Sequence, residues 1–166
     1  LELALGGSVI AGLLDLDSRA LPALHLRAFA RECALVVAAL EQGAILAAHL
    51  VTDGGALAAI AKMAFASDTG LGFRIDPQPV AERAGHDLAW FAEMPAFVVE
   101  VADNALFAKL SARHGVAAYD AGEVIAEPAA IIGNERISLA ELREGWEAPL
   151  RDFYGSIVAR PSTGSG

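Results

Sequence analysis

A chain of 166 residues that is 55% apolar and 20% charged, with a mean hydropathy of +0.44, is too hydrophobic for intrinsic disorder and suits one domain. Its 12 basic and 21 acidic residues leave a net charge of −9, and the basic ones are scattered singly, which argues against a nucleic-acid partner. The uncharged run Gln42 to Thr52 is about half of the ~20 residues that cross a bilayer, and a lone cysteine, Cys33, excludes a disulfide framework or a multi-cysteine metal site.

Leu1 to Leu5 reads as a short strand closed by Gly6-Gly7-Ser8, and Gly12 to Pro22 as irregular chain. From Leu24 to Leu40, the residues Leu26, Phe29, Ala30, Cys33, Val37 and Leu40 recur at helical spacing, with Gly43 as C-terminal cap and Cys33 as a buried, inert thiol. Ile45 to Val51 is a buried strand that runs into Thr52-Asp53-Gly54-Gly55, and a helix follows over Ala56 to Ala66. Thr69 to Ile75 is a turn and strand broken at Asp76-Pro77-Gln78-Pro79; Val80 to Glu93 is partly helical. After Pro95 comes the strand Ala96 to Val101, then a helix capped by Asp103 and ended by Gly115. Val116 to Ile125 is a strand, and Ala129 to Ile132 with Glu135 to Ile137 form a hairpin about Gly133-Asn134. Ser138-Leu139-Ala140-Glu141 fits a capping box opening a last helix, which Pro149 stops or kinks. The class is α/β (α+β), a mixed β-sheet covered by helices. The domain covers residues 1–155, and 156–166 is a tail or linker. A first residue other than methionine and the closing Arg160-Pro-Ser-Thr-Gly-Ser-Gly166 read as a domain cut from a longer, cytoplasmic protein.

The feature most like a site is His49-Leu50-Val51-Thr52-Asp53-Gly54-Gly55, where a strand enters a tight turn that opens a helix. Free N–H groups at a helix start favour an anion, glycines let a phosphate approach, and a carboxylate such as Asp53 can hold Mg²⁺ or take a proton. The same residues are also ordinary turn chemistry, with Asp53 a helix cap. His49 reads either as a hydrogen-bonded structural histidine or as a ligand contact, and Gly6-Gly7-Ser8 as a tight turn or a phosphate contact. His25, His49, His86 and His114 lack the spacing of a metal site. Trp90, Phe91 and Trp146 read as core or interface anchors, and Glu93 as a lone carboxylate with no catalytic mate.

Taken in order, Leu5-Gly6-Gly7-Ser8, His49-x-x-Thr52-Asp53-Gly54-Gly55, Ala61-Lys62-Met63-Ala64-Phe65-Ala66, Tyr119-Asp120-Ala121-Gly122-Glu123-Val124 and Ser138 to Glu147 resemble the C-terminal domain of the aminoimidazole ribonucleotide (AIR) synthase superfamily. The tail favours the phosphoribosylformylglycinamidine synthases within it, and the likeness spans about Leu3 to Phe153. This resemblance implies an ATP-dependent ligase, inactive as an isolated domain, that converts formylglycinamide ribonucleotide to its amidine with glutamine-derived ammonia. It implies ATP and Mg²⁺ as cofactors, and an N-terminal AIR synthase-type domain and a glutaminase domain or subunit as partners. It places Asp53 and His49 as catalytic residues, Asp53 as the Mg²⁺ carboxylate, and Gly7, Ser8, Thr52, Gly54 and Gly55 around nucleotide or substrate phosphate. Two departures stand out. Leu50 occupies a position where the family has aspartate, and Pro95 removes a backbone donor beside Glu93. They favour a degenerate copy that only scaffolds or dimerises; another ATP-using enzyme of the superfamily with a different acceptor is a further alternative, which the tail Ser138 to Glu147 discriminates.

Overall fold

The computed structural model describes residues 4–17, 20–67 and 70–158. Helix α1 (Val9–Leu13) is followed by α2 (Leu26–Glu41), β1 (Ile45–Leu50), α3 (Gly55–Ala66), β2 (Gly72–Ile75) and α4 (Gln78–Ala84). A 3-10 helix (Asp87–Phe91) leads to β3 (Phe97–Val101), α5 (Asn104–His114), β4 (Gly122–Ile125), β5 (Ala129–Ile132), β6 (Glu135–Ser138) and α6 (Leu139–Val158).

The strands form two sheets. β1 and β3 pair antiparallel, Ile45 opposite Val101 and Leu50 opposite Phe97, and Val51 N–H extends the pairing by donating to Ala96 O at 2.8 Å. The other sheet has the order β4-β2-β5-β6 and is mixed, because β2 runs antiparallel to β4 and parallel to β5. Helices α2 and α5 cover one pair, burying Leu35, Ala39, Ala44, Ile45 and Leu110. Helix α3, the 3-10 helix and α6 close the four-stranded sheet over Phe73, Ile75, Trp90 and Ala130. Helix α3 also touches β1 and β3, so it is the element shared by both layers.

Local chemistry explains most boundaries. Asp103 Oδ1 accepts from Leu106 N–H at 2.9 Å to start α5, and Gly115 ends it in a left-handed conformation. The loop Gly133-Asn134 turns the β5–β6 hairpin.

Several expectations shift. Residues 1–3 of the expected first strand lie outside the described residues, and Ala4 and Leu5 are not in a strand. The chain expected to be irregular from Gly12 is helical to Leu13, because Ser8 caps α1. Strand β4 begins at Gly122 rather than Val116: Val116 N–H is spent closing α5 on Ser111 O, and Asp120 Oδ1 accepts from Gly122 N–H at 3.0 Å in a turn. Ser138 accepts from Glu141 N–H at 3.1 Å as expected, while its backbone stays in the ladder opposite Ala129. Pro149 does not stop α6, which continues to Val158. The residue four places before it is Gly145, and Arg151 pairs across the ring with Glu144 and Glu147. Cys33 is half-buried rather than buried. Among the described residues no helix is long and apolar enough to cross a membrane. Tail residues 159–166 lie outside the described residues.

Candidate functional site

Strand β1 delivers the chain to the turn Thr52-Asp53-Gly54, and Gly55 N–H donates to Thr52 O at 2.9 Å to close it. Gly54 caps α3 at φ +84° and Gly55 follows at φ +74°, both left-handed values that side chains disfavour. Gly55 has a second reason to be glycine. A Cβ there would meet the Trp90 carbonyl oxygen and lie 2.6 Å from Phe91 Cα. The turn is therefore packed directly against the backbone of the 3-10 helix. Trp90 anchors that helix, buried in the core with its Nε1–H donating to Pro77 O at 3.0 Å.

From this anchor the chain leaves through Ala92 to Glu93, whose side chain turns back. Its Oε1 accepts from Gly54 N–H at 2.9 Å and from Val9 N–H at 2.8 Å. Val9 opens α1 directly after Gly6-Gly7-Ser8. One carboxylate oxygen thus joins the two glycine turns singled out in the sequence. The contacts span 39 and 84 positions, so no local spacing could have revealed them. The sequence signals were a carboxylate just after a tryptophan-bearing apolar segment and its place where the resembled family carries an Asn-Glu or Gly-Glu pair; neither names its partners.

The expected residues now take definite places. Ser8 is buried, and its hydroxyl is used locally: it donates to Leu5 O at 2.7 Å and accepts from Ala11 N–H at 3.3 Å. Gly7 is exposed at φ +77°. Thr52 and Asp53 are exposed, and the cap of α3 is Gly54 rather than Asp53, so the carboxylate of Asp53 is not spent as a helix cap. Gly54 and Gly55, expected as donors for a phosphate, have both N–H groups taken inside the chain, by Glu93 and Thr52. The anionic place that a helix start offers is filled by a side chain already.

His49 stands apart from that cluster. It lies opposite Val98, half-buried, and its Nδ1 donates to Leu50 O at 2.6 Å, leaving Nε2 as the ring's other polar atom. His49 faces a groove of about 300 Å³ between the two sheets, floored by residues such as Ala47, Met63, Phe73 and Val99. Gly7, Ser8, Thr52, Asp53, Gly54 and Gly55 do not line it. Leu50 is 38% exposed at the end of β1. Of the other histidines, His86 accepts from Leu88 N–H at 3.0 Å and caps the 3-10 helix, while His25 sits at the start of α2 without such a bond. Among the described residues no three His, Cys, Asp or Glu side chains gather as a metal cage. Trp146 packs on Phe65, ring centroids 5.9 Å apart, tying α6 to α3.

Comparison with known proteins gives the surrounding context. A family model for the C-terminal domain of AIR synthase related proteins matches residues 9–133. The phosphoribosylformylglycinamidine synthase subunit PurL of Acidiphilium cryptum is 35% identical over 146 residues, covering 87% of this chain and 20% of that protein. PurL of Granulibacter bethesdensis is 32% identical over 150 residues, covering 84% of this chain and 18% of its own length. The solved structure of PurLQS from Thermotoga maritima superposes with a TM-score of 0.60 at 16% identity, over 81% of this chain and 24% of that one. The chain thus spans about a fifth of the length of these curated relatives.

Proposed function

The chain belongs to the family of AIR synthase related C-terminal domains, and from that premise we propose that it forms one wall of the nucleotide and substrate cleft of a phosphoribosylformylglycinamidine synthase. The observation that carries this reading is the meeting of two glycine turns, Gly6-Gly7-Ser8 and Asp53-Gly54-Gly55, on the carboxylate of Glu93. Two segments far apart in sequence are brought to one place, with Gly7, Thr52 and Asp53 exposed beside them. Kinship with PurL subunits supports the same reading. In it, residues 1–155 act with an N-terminal AIR synthase-type domain and a glutaminase domain or subunit, in the cytoplasm, to turn formylglycinamide ribonucleotide into its amidine.

ATP and Mg²⁺ are the cofactors this function requires, and the residues fit them unequally. Mg²⁺ binds through one or two carboxylates together with phosphate oxygens, and exposed Asp53, its carboxylate not spent on a helix cap, fits one such place. The N–H groups of Gly54 and Gly55 do not fit a phosphate, because both are engaged. When bound, ATP supplies a phosphoryl group to the substrate's amide oxygen, and Mg²⁺ neutralises its charge. This chain's own part is to orient: Gly7 lets a ligand approach the backbone, Thr52 offers a hydroxyl, and Asp53 offers a carboxylate at the mouth of β1. His49, turned into the groove between the sheets, is assigned no contact with this cluster.

In the full-length enzyme, Asp53→Ala should lower turnover about tenfold or more with the circular dichroism spectrum unchanged. An unchanged rate would remove Asp53 from the site. A second reading, a copy that only scaffolds, is favoured by Leu50 at the family's aspartate position and by the occupied N–H groups. Leu50→Asp separates the two: a gain in nucleotide affinity supports the cleft, and no gain supports the scaffold.

A further inference from the structure

We infer that Glu93 is the positioning residue of this wall, a clamp whose single oxygen Oε1 sets the separation of the two glycine turns. The inference rests on the cleft reading for its consequence in catalysis, but its physical core stands without it. The first N–H groups of a helix have no partner inside the helix and need one from outside. Val9 and Gly54 are such donors, one at the start of α1 and one at the start of α3, and both find the same carboxylate oxygen. A charged acceptor makes these bonds stronger than neutral ones, and a negative charge at the start of α3 is favoured by that helix's dipole. The clamp is itself held from behind. Trp90 is pinned to Pro77 O, and Gly55 packs against the backbone of Trp90 and Phe91, so the segment that carries Glu93 is fixed relative to α3 before its side chain reaches across.

Two consequences follow. The spacing of the turns depends on the length of the glutamate side chain and not on its charge alone. The place between the two N–H groups is closed to phosphate, so a ligand on this wall engages Gly7, Thr52 and Asp53 instead.

Three substitutions separate reach from charge. Glu93→Gln keeps an oxygen at the same reach without charge, Glu93→Asp keeps charge and withdraws the oxygen by one methylene, and Glu93→Ala removes both. On the 166-residue chain, residue-resolved amide exchange should show Val9 and Gly54 losing protection about tenfold or more in Glu93→Ala and Glu93→Asp, with Leu35 and Ile75 unchanged, while Glu93→Gln keeps most of it. In the full-length enzyme, kcat/KM should fall about a hundredfold in the Asp and Ala variants and recover to within about threefold of wild type in Gln. Loss at only one of the two amides, a uniform loss across the chain in all three variants, or an Asp variant as protected as Gln would each overturn the clamp. The exchange arm uses no ligand. If it succeeds while no variant alters kcat/KM, the cleft reading fails and the clamp stands.

Discussion

The layer built on β1, β3, α2 and α5 and the layer built on the four-stranded sheet bury their apolar residues by different means. In the first, the buried set is Leu35, Ala39, Ala44, Ile45 and Leu110, ringed by half-buried valines, and large residues such as Leu26, Val37 and Leu46 remain exposed. In the second, Phe73, Ile75 and Trp90 fill the core, and backbones approach where a side chain is missing, as at Gly72 and Gly55. Both cores pack side chain on side chain. The second adds close backbone approaches at glycine, and the candidate site is attached to that second layer through Gly55 and Trp90. Tolerance to substitution should differ accordingly.

The largest effect should come from a pair of glycines. Gly55→Ala adds a Cβ against the Trp90 carbonyl and 2.6 Å from Phe91 Cα at φ +74°, whereas Gly43→Ala adds one at φ +70° into open space. A left-handed alanine costs about 1–2 kcal/mol by itself, and overpacking adds about 1–3 more. Urea unfolding should therefore place Gly55→Ala about 1–3 kcal/mol below Gly43→Ala. Equal losses would mean that the contact around Gly55 relaxes freely, and the contrast between the layers would fail at its sharpest point.

A second pair compares core residues. Trp90→Phe leaves the Pro77 carbonyl without its donor and opens a void, together costing about 2 kcal/mol. Leu35→Met, which keeps volume in the first layer, should cost less than about 1.5 kcal/mol. Thermal unfolding of both variants checks the order, and a reversal would move the critical contacts to the first layer.

The same contrast explains what could be read from the sequence. Helix α2, strands β1 and β3 and helix α5 were legible because periodicity and local caps such as Asp103 determine them. The segment from Val80 to Glu93 was legible only as partly helical, because the bounds of its two helical pieces answer to tertiary contacts: Trp90 on Pro77, and Gly55 on Trp90 and Phe91. Pro149 differs in kind: it is tolerated inside α6 through local features, Gly145 four places before it and Arg151 paired across it with Glu144 and Glu147. At the candidate site the two glycine turns were visible as motifs, yet Glu93 was not visible as their link. A hydrogen bond across 84 positions has no signature in a single sequence. At the start of α3, where a phosphate was expected, Gly54 N–H donates to the chain's own Glu93 carboxylate.

The smallest effect concerns protons, and it sets the layers in opposition. Glu127, beside the β5–β6 hairpin, bonds the Arg136 guanidinium through both nitrogens, which holds its carboxyl below the ordinary carboxylate range. Glu32 on α2 is pushed the other way, upward, by burial. A lowered carboxylate contributes stability that is present above its unfolded pKa and lost as the pH falls through its folded one. A raised carboxylate behaves oppositely, so that its contribution is present below the unfolded pKa and lost as the pH rises through the folded one. Arg136→Ala should return the Glu127 titration, followed by carboxyl NMR, to the ordinary range and leave Glu32 untouched. Glu32→Gln should remove the upward shift and make the chain relatively more stable at neutral pH than at acid pH. Because both carboxylates are largely solvated, each change in unfolding midpoint should be small beside those of Gly55 and Trp90. A large one would show that charge, and not close backbone packing at glycine, distinguishes the two layers.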